Sequence, residues 1–251
     1  MRTHWTIAYK ESAQMLRSQK GLLWLLAFSG LLSAFSLLLV SNTELSLLDN
    51  AQVVYMMAGT VLAAGALLAA ILGSDAYAGE KERGTLVPLL CAPIAPNALL
   101  AGKAMGLLAT WGVMFAMATP YLWAVGASGQ NLGTAVFYLA LFGTPVVLGF
   151  GYLAMALSAR TGSVLASLLS TVTLLMLAAS PLLIGPGLRG TTIGRAMDAV
   201  NPFAGALNTF DSVIIDSEPF SSQIARLLLV VAWFVLCLIL ARRSAAHPNF
   251  Q

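Results

Sequence analysis

The chain has 251 residues, of which 59% are hydrophobic and only 9% charged, and its formal net charge is +3. A soluble domain carries about 25% charged residues, so this composition excludes a protein whose whole surface faces water; lipid must supply much of its solvent. The basic residues are scattered and form no basic face, which argues against nucleic-acid binding, while Cys91 and Cys237 form no CxxC and indicate neither a disulfide framework nor a zinc site.

Residues 1–20 alternate charged and apolar side chains, unlike a cleavable signal. Trp5, Ala8, Tyr9, Ser12, Met15 and Leu16 recur at helical spacing, with Lys10, Gln14 and Arg17 on another face. This pattern predicts an amphipathic interfacial helix with Trp5 in the aromatic belt and basic groups toward lipid phosphates. A charged start that merely sets topology would give the same pattern.

Six apolar runs follow, near Gly21–Val40, Val53–Gly73, Leu100–Val125, Thr134–Ala159, Ser163–Ile184 and Gln223–Ala241. Each approaches the roughly 20 residues that a membrane-crossing helix needs. Only helices or closed barrels satisfy the backbone in lipid, and these runs are too long and too uniform for barrel strands. The expected fold is all-α: one membrane domain over residues 1–251, an integral bundle of six transmembrane helices.

The second run carries Gly59, Ala63, Ala66, Ala70 and Gly73 at spacings of four and three, a stripe that lets helices approach closely, and ordinary packing within one chain would use the same stripe. After it, residues 74–99 hold the cluster Glu80, Lys81, Glu82, Arg83 between Gly79 and Gly84. A charge at the bilayer centre costs about 2.5–3.5 kcal/mol even on the lenient scale, so this segment belongs at a membrane face. Gly84 can end a helix in the left-handed conformation. Thr85 can cap a second short helix with Leu86, Val87, Leu89 and Leu90 on its apolar side. The product is a stiff knob in which Glu80 and Glu82 would orient a soluble partner and Leu86 and Leu89 would supply contact area. A solvated charged connector is the plain alternative.

Pro120, Pro145 and Pro181 interrupt later runs and mark candidate kinks. The fifth run carries Ser163, Ser167, Ser170 and Thr171 along one side. Residues 185–222 form a long connection with two helical stretches, TIGRAMDAV and AGALNTFDSVII, separated by Asn201-Pro202. Connections this long are often functional, and short external helices on the outer leaflet are one reading, a mobile loop the other.

Ten basic residues fall on the side of the termini and the 74–99 segment, against Arg189, Arg195 and Arg226 opposite. The positive-inside rule then makes both termini and the 74–99 segment cytoplasmic. No charge lies at the centre of a span, so no proton relay is indicated. His4 and His247 are peripheral, no metal-ligand set or nucleophile–base pair emerges, and no G-x-x-x-x-G-K-[ST] loop is present to cradle a nucleotide.

The string AGEKERGTLVPLLCAPIAPNALLAGKAMG resembles the signature of ABC-2 type exporter permeases, through Glu80, Glu82, Arg83, Gly84, Thr85, Leu86, Leu89, Leu90, Pro93, Gly102 and Lys103. The opening IAYKESAQMLRSQKGLL is similar to the elbow segment of that family at Lys10, Glu11 and Arg17, and Asn201-Pro202-Phe203 to a motif before its last span. The plan matches over the whole length, and resembles most the permeases of nitrous-oxide-reductase maturation systems. Two departures stand out: Val87-Pro88 where an acidic residue often follows Gly-Thr-Leu, and Ile94-Ala95-Pro96-Asn97 where a basic residue often follows the proline.

The resemblance implies a bacterial inner-membrane exporter subunit that is not itself an enzyme. A second permease copy or paralogue and a separate P-loop ATPase holding ATP and Mg2+ would be its partners, beside membrane lipid. It implies ATPase coupling through Glu80, Glu82, Arg83, Gly84, Thr85, Leu86 and Leu89, and an elbow helix bearing Trp5, Lys10, Glu11 and Arg17. It also places Gly59, Ala63, Ala66, Ala70, Ser163, Ser167, Ser170 and Thr171 at the dimer contact and substrate path. A neutral path suits a hydrophobic or amphipathic solute. A haem-maturation type permease and a non-transporting membrane scaffold are the alternatives.

Overall fold

The structure is a computed structural model that describes residues 9–10, 12–13, 17, 19–41, 50–91, 95–125, 132–183, 191–192, 196 and 199–246. Its elements are α1 (Gln19–Ser41), α2 (Asn50–Glu82), α3 (Leu86–Cys91), α4 (Pro96–Val125), α5 (Leu132–Tyr138), α6 (Thr144–Arg160), α7 (Val164–Leu183), α8 (Pro202–Phe210) and α9 (Ile224–Ala246). Five stretches are long and apolar enough to cross a membrane: Gly21–Leu39, Ala51–Glu82, Pro96–Val125, Leu132–Arg160 and Phe220–Ala246. Val164–Ser180, within α7, is a shorter apolar helix, and the chain is a multi-pass helical bundle.

The α5–α6 span is interrupted by a π-helical turn, Leu139–Gly143, just before Pro145. Proline has no N–H to donate and its ring crowds the carbonyl four residues back, so the helix widens by one residue ahead of it. Pro120, by contrast, sits inside continuous α4.

Helix α2 lies at the centre. It packs most extensively on α6, and also on α7, α4 and α8, while α6 packs in turn on α9. Glycine makes the α2–α6 approach possible. A Cβ on Gly73 would lie 2.6 Å from both Ala154 Cβ and the Gly151 carbonyl, and one on Gly65 would strike the Trp111 ring. Trp111 donates to Thr144 Oγ1 at 3.0 Å and ties α4 to α6. Tyr121 lies 3.0 Å from Ser29 Oγ and 2.8 Å from Ser33 Oγ, tying α4 to α1.

The Asn201-Pro202 punctuation is a helix start. Asn201 Oδ1 accepts from Phe203 N at 3.0 Å and Ala204 N at 3.3 Å, with Pro202 at the first helical position. Asn201 Nδ2 also donates to the Ala178 carbonyl of α7 at 2.5 Å. Helix α8 is almost wholly buried, with Phe203 edge-on to Phe150, so it is wedged into the bundle rather than laid upon it. Arg226 holds the turn after α8 by donating to the Asn208 carbonyl, Ser212 Oγ and Gln223 Oε1.

Candidate functional site

Helix α2 has 33 residues, about 50 Å of helix against a hydrocarbon core of about 30 Å. Its last turns therefore stand clear of lipid. Hydropathy shows where the apolar run stops, near Gly73, but the helix is ended by a separate signal. Gly84 takes φ 69°, Gly84 N donates to the Lys81 carbonyl, and Thr85 N donates to the Glu80 carbonyl, each at 2.9 Å. This pair of bonds is the Schellman stop. Gly84 fills the left-handed position without a Cβ penalty.

Asp75 and Arg83, two turns apart, pair at 3.3 Å over Gly79, and a Cβ on Gly79 would run into the Asp75 carboxylate. Glu80 faces Lys103 of α4 at 3.8 Å, and the Thr85 hydroxyl donates to the Glu80 carboxylate. Burial pushes the Glu80 carboxyl upward, but the Thr85 hydrogen bond and the charges of Lys103, Arg83 and Lys10 outweigh it and hold it below its usual value. Lys103 is only 3% exposed and lies over the Tyr77 ring, 5.8 Å from its centroid.

The middle of the EKER cluster reaches across to the turn between α6 and α7. Lys81 Nζ donates to the Ala159 carbonyl at 2.9 Å and the Thr161 carbonyl at 2.8 Å. Glu82 Oε1 accepts from Val164 N at 2.8 Å. A cation thus closes the C-terminus of α6 and a carboxylate caps the N-terminus of α7, each at the helix end its charge suits. One turn deeper, Ser158 Oγ accepts from Tyr77 N at 3.0 Å and Ala78 N at 2.7 Å and donates to the Ser74 carbonyl at 2.6 Å. The hydroxyl is fully used and is inserted into the backbone ladder of α2.

These contacts revise the roles read from the sequence. Glu80 and Glu82 are engaged within the chain, and so is the Thr85 hydroxyl, whose proton goes back to Glu80. Leu86 is 3% exposed and belongs to the core. The side chain of Leu89 lies outside the described residues. Beside the exposed Glu82 and Arg83, α3 and the start of α4 present an uncharged surface: Thr85, Pro88, Cys91, Ala95, Pro96 and Asn97 are exposed. Lys81 and Ser158 were missed as site residues because their partners lie about 80 positions away.

Lys10 and Arg17 are exposed on helical backbone, whereas Trp5 and Glu11 lie outside the described residues. Lys10 acts on Glu80, Lys81 bonds Thr161, and Arg160 Nε donates to Ser244 Oγ at 3.1 Å. The start of the described chain, the EKER turn, the α6–α7 turn and the end of α9 therefore share one face. The long segment 185–222 is described only in part, and Arg189 and Arg195 lie outside the described residues.

The two small-residue stripes divide. Gly59 faces Leu207 of α8, Gly73 faces α6, and Ala66 and Ala70 are fully buried. In α7, Ser167 and Thr171 are fully buried, Ser163 is half-buried and Ser170 is exposed. Helix α2 is central, so most of its small residues meet helices of the same chain. Ala63 is exposed and lines an apolar cavity of about 370 Å³ bounded by α1, α2 and α7, among Trp24, Phe28, Leu67, Leu175 and Met176. Its one hydroxyl, that of Thr60, already donates to the Met56 carbonyl. No group of three or more metal-ligating side chains occurs among the described residues.

The family description that matches is "ABC-2 family transporter protein", over residues 5–244. The chain belongs to the ABC-2 family of transporter proteins. A relative described as "Probable ABC transporter permease protein NosY", from Pseudomonas aeruginosa, is 37% identical over 123 residues, covering 46% of this chain and 41% of that protein. The matched region is thus about two fifths of the relative's length. Family membership makes the chain a transporter protein, in keeping with its apolar multi-pass helical bundle.

Proposed function

We propose that this permease is the membrane half of an ATP-driven exporter in the bacterial inner membrane, with both termini and the α2–α3 turn in the cytoplasm. A separate P-loop ATPase, holding ATP and Mg2+, docks on the uncharged surface of α3 and the start of α4. A second permease copy or paralogue completes the assembly. The observation that carries this reading is the projection of α2 past the lipid to a glycine stop and a short exposed helix. Charge supports the orientation, because Lys10, Arg17, Arg83, Arg160, Arg242 and Arg243 gather at that face. The cavity by α1, α2 and α7 suits a hydrophobic or amphipathic solute, since a bare ion would meet almost no polar group there.

The chain carries its own reporter of sidedness. Cys91 is exposed on α3 and Cys237 is buried. A membrane-impermeant maleimide is expected to label Cys91 in inside-out vesicles and not in intact spheroplasts; the reverse pattern sinks the orientation. Reconstitution with a P-loop ATPase subunit from the same organism should give a stable complex with lipid-dependent ATP hydrolysis. Failure to form one in the presence of ATP and Mg2+ rejects the exporter reading.

A further inference from the structure

We propose that Lys81 and Glu82 are positioning residues that clamp the α6–α7 turn, so that the end of α2 and the start of α7 move as one rigid joint. This rests on the exporter reading above and names how motion at α3 reaches the spans. A glutamate beside a membrane face invites the view that its charge docks a partner. Here the geometry points elsewhere. Lys81 takes two carbonyls that α6 cannot satisfy at its own end. Glu82 takes the first amide of α7. Both belong to the last turn of α2, next to the glycine stop. Ser158, fully buried, adds a third tie one turn deeper.

The three ties span α2, the end of α6 and the start of α7, and none is local in sequence. The α6–α7 connection is only three residues, Thr161 to Ser163, so it has little slack once its two ends are held. A displacement of α3 against such a turn is passed to α7, which borders the apolar cavity. Without the ties the same displacement is absorbed by fraying of two helix ends, the first places a helix opens.

The test separates cap from charge. Glutamine keeps a carbonyl oxygen that can accept from Val164 N but removes the charge; alanine removes both. In lipid nanodiscs, hydrogen exchange of residues 160–166 is expected to rise about tenfold in Glu82→Ala and Lys81→Met. It should stay near wild type in Glu82→Gln and Lys81→Arg. With the ATPase subunit present, the alanine and methionine variants should still co-purify with it but lose most transport per ATP hydrolysed. The glutamine and arginine variants should retain both. Unchanged exchange in Glu82→Ala and Lys81→Met overturns the joint. Loss of ATPase binding in Glu82→Gln also overturns it, by showing that the charge itself docks the partner. If wild type binds no ATPase while the exchange pattern holds, the exporter reading fails and the joint stands.

Discussion

The α2–α6 seam and the α1–α7 side of the same central helix are built by opposite rules. Along the seam, glycines bring backbones into direct contact, and Gly73 faces the Gly151 carbonyl with no room for a methyl group. On the other side, α1 and α7 turn large side chains outward, including Leu23, Leu26, Leu165, Leu169 and Leu177, and leave an apolar cavity between them. Close packing, interhelical hydrogen bonds and lipid entropy drive helix association in lipid, without a hydrophobic force between helices. The seam therefore carries the bundle's cohesion, while the α1–α7 side is left free to meet lipid, solute or another copy.

Four substitutions break or sharpen that contrast. Gly73→Val should be the most damaging, costing about 3 kcal/mol, the upper range for overpacking, and lowering the SDS concentration at which the bundle unfolds. Ser158→Ala should come next, at about 2 kcal/mol, because Tyr77 N, Ala78 N and the Ser74 carbonyl of α2 lose a buried hydroxyl partner; the same titration measures it. Ala63→Phe, on the cavity side, should change unfolding by less than about 0.5 kcal/mol while removing most transport of solute into vesicles. A large unfolding effect there would mean that the cavity wall is structural. Gly112→Ala should be the mildest, with no loss of stability or transport: no atom lies within 4 Å of the added Cβ, so it should be neutral or slightly stabilise α4.

The end of α2 shows a second asymmetry, between what ends a helix and what the helix end then touches. Gly84 was readable because a left-handed stop is a local event, written in the few residues around it. Asn201-Pro202 was readable as punctuation for the same reason, although it marks the start of a buried wedge. The roles of Glu80, Glu82 and Leu86 were not readable, since each depends on a group from α4, α6, α7 or the core that no nearby residue announces.

The sequence by itself determined the all-helical membrane class, the rough bounds of the apolar runs, the uneven placement of charge and the family, because lipid imposes length and apolarity on each segment separately. Tertiary structure alone decided that Lys81 and Glu82 bond the α6–α7 turn, that most of the α2 stripe packs at home, and that the cavity lies by α1 and α7. Those outcomes depend on which helix stands beside which, and a hydroxyl such as Ser158 finds the backbone of α2 only after the helices have packed.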